Sequence, residues 1–294
     1  MLKRIFLLAA LALGGFATAP QPVQAQALTP YILPLDYELM NEQGRYLASE
    51  AQQLAEYRQF NRALTLAQLA AQLAPNDAQV LALLGGLYLQ AGEPEQALAL
   101  LTQANTLSPE EPRILFALGS AHLQQQDYRQ AVTFLERGLR REPNNANALF
   151  DLGNAYLLLQ QYDQAIARFT ASVQAQEDFW PSVNNIGLVL YEQGDANQAV
   201  AKWEEALAMA GGEEPEPKLA IAVVRYAQGN CRAVANAGSS LCQSALSMGM
   251  TALEQDSRYA DEAFLRQNLW GNRLMNTTQQ FFSAPPVRSL IAEL

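Results

Sequence analysis

The sequence predicts an all-α solenoid of five to six helix-turn-helix hairpins. Three observations predict it. Leucines return at a period of 34 residues: Leu81, Leu115 and Leu149 fall in register, as do Leu84, Leu118 and Leu152. Small residues keep the same frame, with Gly85, Gly119, Gly153 and Gly187 at repeat position 8 and Ala63, Ala97, Ala131, Ala165 and Ala199 at position 20. Pro75, Pro109 and Pro143 mark position 32, where the ring clashes with the preceding turn and stops a helix. A fixed period of about 20–50 residues signals stacked units that cannot bury their apolar faces alone. Positions 4, 7, 8 and 11 share one helix face, so they form the seam of each hairpin.

The stretch Ala146–Phe179, ANALFDLGNAYLLLQQYDQAIARFTASVQAQEDF, states the pattern most clearly. With Leu-Gly, Tyr, Ala, Phe and Pro at these offsets it resembles the tetratricopeptide repeat (TPR). The resemblance covers residues 44–213 and weakens beyond them. It implies a right-handed superhelix that exposes the first helix of each pair on a concave wall.

In chain order, residues 1–27 read as a signal peptide. Lys3 and Arg4 open it, Ile5 to Phe16 is apolar, and Ala25-Gln26-Ala27 offers a small-x-small cleavage site. No Cys stands near that site, which argues against a lipid anchor. Residues 28–43 form an N-terminal cap segment, extended at first because of Pro30 and Pro34, with Tyr31, Ile32 and Leu35 able to pack. Repeat one, 44–77, is degenerate, with Glu50 and Ala51 in place of Leu and Gly. Repeats two to five follow at 78–111, 112–145, 146–179 and 180–213. Pro94 and Pro112 stand at first helical positions, where a missing N–H costs little.

Glu213 to Pro217 reads as an acidic, proline-broken linker. A degenerate sixth pair occupies 214–256, with helices near Lys218–Gln228 and Leu241–Gln255 around an insertion bounded by Cys231 and Cys242. Residues 257–294 form C-terminal capping helices, in which Phe264, Leu265, Leu269 and Leu274 cover the open end of the last pair. The block FLRQNLWGNRLM resembles the closing segment of exported cyanobacterial TPR proteins. That resemblance allows an assembly factor for an envelope or photosynthetic membrane complex.

Composition narrows function. The formal charge is −10, and loss of Lys3 and Arg4 with the leader takes it nearer −12. Lysine occurs only at positions 3, 202 and 218, so nucleic acid and anionic membrane surfaces are poor partners. Beyond the leader no apolar run reaches the ~18 residues of a spanning helix. Cys231 and Cys242, the only cysteines, are expected to form a structural disulfide in an oxidising compartment, periplasm or thylakoid lumen. With no C-x-x-C, a redox pair is disfavoured. His122, the only histidine, takes the seam position held by Tyr88 and Tyr156 and is expected to be packed and hydrogen-bonded. One His and two Cys cannot supply a zinc site, and no phosphate-binding glycine loop is present. No cofactor, metal or catalysis is expected.

The expected site is therefore the groove, which would hold an extended segment of a protein partner. Counting along the first helices gives Arg113, Phe116, Ser120 and Leu123, then Asn147, Phe150, Asp151, Asn154 and Leu157, then Asn184, Asn185, Leu188 and Tyr191. Repeat two, with Gln79, Ala82, Leu83 and Gly86, is blander. Phe116 and Phe150 are candidate apolar anchors, and the asparagine amides suit a peptide backbone. Carboxylate-clamp TPR proteins carry lysine at such positions. Its absence here argues against that clamp. The alternative is a glycan- or peptidoglycan-recognising module, or a cryptic hydrolase, with Trp180, Trp203 and Tyr191 stacking on sugars.

Overall fold

The computed structural model describes residues 36–233 and 236–294, and these contain no strand. The predicted leader and the first half of the cap segment, residues 28–35, lie outside them, and the second half belongs to the first helix from Tyr37 onward. Six helix pairs follow one another: α1 (Tyr37–Glu56) with α2 (Phe60–Leu73), α3 (Ala78–Gln90) with α4 (Pro94–Leu107), and α5 (Pro112–Gln124) with α6 (Tyr128–Leu139). Then come α7 (Ala146–Leu158) with α8 (Tyr162–Ala175), α9 (Trp180–Gln193) with α10 (Ala196–Met209), and α11 (Pro215–Gln228) with α12 (Ser240–Gln255). A 3₁₀ turn (Ser257–Ala260), α13 (Glu262–Gln267), α14 (Asn272–Phe282) and α15 (Pro285–Glu293) close the chain. Each second helix also packs on the first helix of the next pair, which makes a solenoid.

The helix ends are written locally. Asp77 accepts from the backbone N–H groups of Gln79 and Val80, and Asp127, Asn145 and Asp195 cap α6, α7 and α10 in the same way. Such caps satisfy donors that the first turn leaves open. Pro215 stands in the first turn of α11, so the helix begins inside the predicted linker: a proline at that point removes no internal hydrogen bond.

Every hairpin of repeats one to five turns on a left-handed residue at position 15: Arg58, Gly92, Gln126, Gln160 and Gly194, with φ of 58°, 77°, 61°, 59° and 97°. Directly after it an N–H reaches back across the turn, as from Gln161 to the Tyr156 carbonyl at 2.8 Å. Glycine suits this conformation, and the other three positions carry a Cβ that resists it.

The seam is set by position 8 against position 24. A Cβ added to Gly85, Gly119, Gly153 or Gly187 would lie 2.7, 2.5, 2.5 and 2.5 Å from Leu101, Leu135, Phe169 and Trp203 respectively. All four of those side chains are wholly buried. The glycine thus makes room for a large side chain, rather than chiefly for the small residue at position 20. In the sixth pair the large residue is missing: position 24 is Gly249, facing Ala222, and Phe281 of α14 fills the slot.

First helices α3, α5, α7 and α9 touch in succession, whereas successive second helices scarcely meet, so the ribbon bends toward the first-helix wall. α14 packs on α9, the last of these, and on α11, the first helix of the sixth pair. The C-terminal helices therefore do more than close the end of the last pair.

Gly153→Ala should lower stability by about 1–3 kcal/mol, because Phe169 cannot yield. Gln160→Gly should raise it by a few tenths to about 1 kcal/mol by relieving the left-handed turn. Urea denaturation monitored by circular dichroism measures both.

Candidate protein-binding wall

The C-terminal segment reaches the wall through polar contacts. The Glu192 carboxylate on α9 accepts from the backbone N–H groups of Arg273 at 3.2 Å and Leu274 at 3.0 Å, capping α14 from outside. Gly271 lies so close to Glu192 that a Cβ would collide with it. The Tyr191 hydroxyl pairs with that of Thr277 at 2.8 Å. The Trp270 indole N–H donates to Glu216 Oε1 at 3.1 Å.

This arrangement corrects part of the expected groove. Asn184, Asn185, Leu188 and Tyr191 are 1%, 6%, 1% and 7% exposed. The structure uses them internally: Asn185 donates to Asn154 Oδ1 at 2.9 Å and Asn184 donates to Asn185 Oδ1 at 3.1 Å. Counting along the first helices assumes an open wall, and it cannot see a distant segment folded onto that wall. Phe116 and Phe150 are also displaced from their expected role. Phe116 presses on Gly138 of its own hairpin, and Phe150 packs between Phe169 and Phe179 with ring centroids at 5.8 and 5.5 Å. Both are half-buried in the seam, because position 5 leans toward the second helix.

Arg113 is exposed and pairs with Glu111 at 3.4 Å. Ser120 donates to Asp151 at 2.5 Å across the α5–α7 contact. Burial pushes the Asp151 carboxyl up to about 6, and the Ser120 hydrogen bond opposes the rise. Asn147 is exposed, while Leu123 is half-buried and Leu157 buried.

Among the described residues, the open part of the wall lies nearer the N-terminus. A cavity of about 490 Å³ sits between α1, α3 and α5. Ala82, Leu83, Leu87 and Ile114 give it an apolar floor, and Gln52, Gln79 and Gln90 place amides in its lining. Arg45 pairs with Asp77 at 3.6 Å within the same lining. A Cβ at Gly86 would meet nothing within 4 Å. This helical glycine costs about 1 kcal/mol relative to alanine without relieving any contact. The repeat-two residues that look bland in sequence thus form the cavity's centre strip. Arg45, Ser49 and Gln52 hold positions 2, 6 and 9 of repeat one, so extending the same count to its first helix locates them.

Trp203 is wholly buried against Gly187 and Tyr191 is buried, so a sugar-stacking platform with Trp180 does not form. His122 stacks on Phe134, with centroids 5.3 Å apart and ring planes within 7°. Its packing follows expectation, but its Nδ1 has no hydrogen-bond partner among the described residues. Burial holds its pKa below the usual histidine range, and Asp127 opposes that shift. Cys231 and Cys242 are buried with Cα atoms 5.5 Å apart and side chains placed for a disulfide.

The tetratricopeptide repeat profile matches residues 54–121, 88–146 and 122–185. Residues 54–185 are tetratricopeptide repeats. Solved structures with a similar fold include MamA from Desulfovibrio magneticus RS-1, residues 41 to the end, with 18% identity over 59% of this chain and 98% of that one, and a TM-score of 0.52. A double mutant of MamA RS-1 shares 19% identity over 58% of this chain and 96% of its own, at a TM-score of 0.51. YrrB, described as a TPR protein with an unusual peptide-binding site, shares 17% identity over 60% of this chain and 92% of its own, at 0.47. No curated protein matches the chain. At these identities the likeness shows the TPR fold alone.

Where the TPR array meets its C-terminal cover, Glu216 is buried, and its carboxyl rises from 4.5 to about 7 through desolvation, opposed by hydrogen bonds from Trp270 and Asn184. The Asn184 Oδ1 is buried without a hydrogen-bond partner among the described residues. Below pH 4.5 both folded and unfolded forms hold the proton, and the group has no effect on stability. As pH rises toward 7 only the unfolded form ionises, so stability falls, and above 7 the penalty is complete. Glu216→Gln should therefore stabilise the protein by up to about 3 kcal/mol at pH 8 and hardly at all at pH 4.5, read from denaturation curves at both pH values.

Proposed function

We propose that this protein is an exported, non-enzymatic scaffold that holds an extended segment of a partner protein on its first-helix wall. The observation that carries this reading is the open apolar cavity between α1, α3 and α5, the part of the wall left bare where α14 covers α9 and α11. Exposed amides beside an apolar floor suit a peptide main chain with buried side chains. Export rests on the leader pattern of residues 1–27, with Cys231 and Cys242 oxidised in the periplasm or a thylakoid lumen. A role in assembling an envelope or photosynthetic membrane complex rests on the resemblance of FLRQNLWGNRLM to exported cyanobacterial TPR proteins.

A photo-cross-linking residue at Gln79 should give one discrete adduct with an envelope protein in the exporting cell. The same residue at Thr102, on the second helix of that repeat, should give none. Equal labelling at both positions, or a chain retaining its leader in the cytoplasm, would refute the proposal.

A further inference from the structure

The cavity and Asp151 lie on one continuous stretch of wall. Within the cavity the charges already face each other, Arg45 with Asp77 and Arg113 with Glu111. Asp151 differs: Ser120 is its hydrogen-bond partner, and no Lys, Arg or His among the described residues pairs with it. Leu83 on α3 and Asp151 on α7 hold the same repeat position two repeats apart, with α5 between them. Two interaxial steps of about 8–10 Å separate them, roughly 16–20 Å in all. An extended chain advances about 3.3 Å per residue, so this distance equals about five to six residues.

Resting on the groove reading above, we propose that the wall selects a segment that is apolar and basic. An aliphatic side chain enters the cavity over Leu83 and Gly86, and a Lys or Arg about five to six residues away pairs with Asp151. Charge complementarity supports the choice. The chain carries −10 overall, and beside the cavity this carboxylate has a hydroxyl partner and no counter-ion among the described residues. A cation there would offset the desolvation that raises the carboxyl. An incoming acidic segment would meet like charge instead. Gly86 leaves space for the ligand backbone to approach α3.

The purified full chain can be panned against a phage-displayed library of random nine-residue peptides. The expected enrichment is an aliphatic residue with Lys or Arg about five to six positions away. In a synthetic peptide from that pool, changing the basic residue to Gln should weaken binding to the wild-type chain about tenfold. Asp151→Asn should bind the Lys and Gln peptides equally while keeping or raising its melting temperature. Gly86→Leu should bind neither, again without loss of stability. Enrichment of acidic peptides, or a Lys preference that survives in Asp151→Asn, would overturn this inference and leave the scaffold reading standing. Failure of the wild-type chain to enrich any peptide would overturn the groove reading itself.

Discussion

The close approach of two helices at repeat position 8 underlies the rest of the structure. Glycine there removes a Cβ, and the space is taken by Leu101, Leu135, Phe169 or Trp203 from the facing helix. The exchange buries a large apolar side chain against bare backbone, which more than offsets the cost of a helical glycine. It also sets the spacing within each pair, so the first helices lie on one side of the ribbon and can form a wall. Without that spacing, neither the Ser120–Asp151 contact nor the cavity between α1, α3 and α5 would form.

The two ends of the wall follow different rules. Toward the C-terminus the wall is covered and several of its polar groups are paired internally, through Tyr191, Glu192 and Glu216. Toward the N-terminus the helices carry amides, alanines and a bare glycine over an apolar floor, and nothing from the C-terminal segment lines that cavity. The covered half behaves as a core, held by burial. The open half keeps apolar atoms in water, the usual mark of a surface awaiting a partner.

The fold was legible because each hairpin repeats the same local chemistry. The leucines in register, the position-8 glycines and the stopping prolines depend on neighbours within one period. The left-handed turn at position 15 was only half visible, since Arg58, Gln126 and Gln160 adopt it without being glycine. The site was less legible for a different reason. Whether Asn184 or Tyr191 meets water is decided by Thr277 and the residues around Trp270, roughly ninety positions away, and no periodicity encodes that distance. Phe116 and Phe150 were misplaced by a smaller effect: a side chain at position 5 leans off the wall into its own seam. Arg113, Ser120, Asp151 and Asn154 do lie on the wall, because their surroundings come from adjacent repeats.

Phe281 gives the sixth hairpin a dependence that the others lack. Hairpins two to five bring their own filling for the gap between the helices, so each is complete once its 34 residues have emerged. The sixth leaves a hole at Gly249 that is filled by a ring thirty-two residues downstream. Its final packing must wait for the chain to be made almost to its end. A copy lost to premature termination anywhere before that ring would carry an unfinished last hairpin, with the backbone at Gly249 left uncovered.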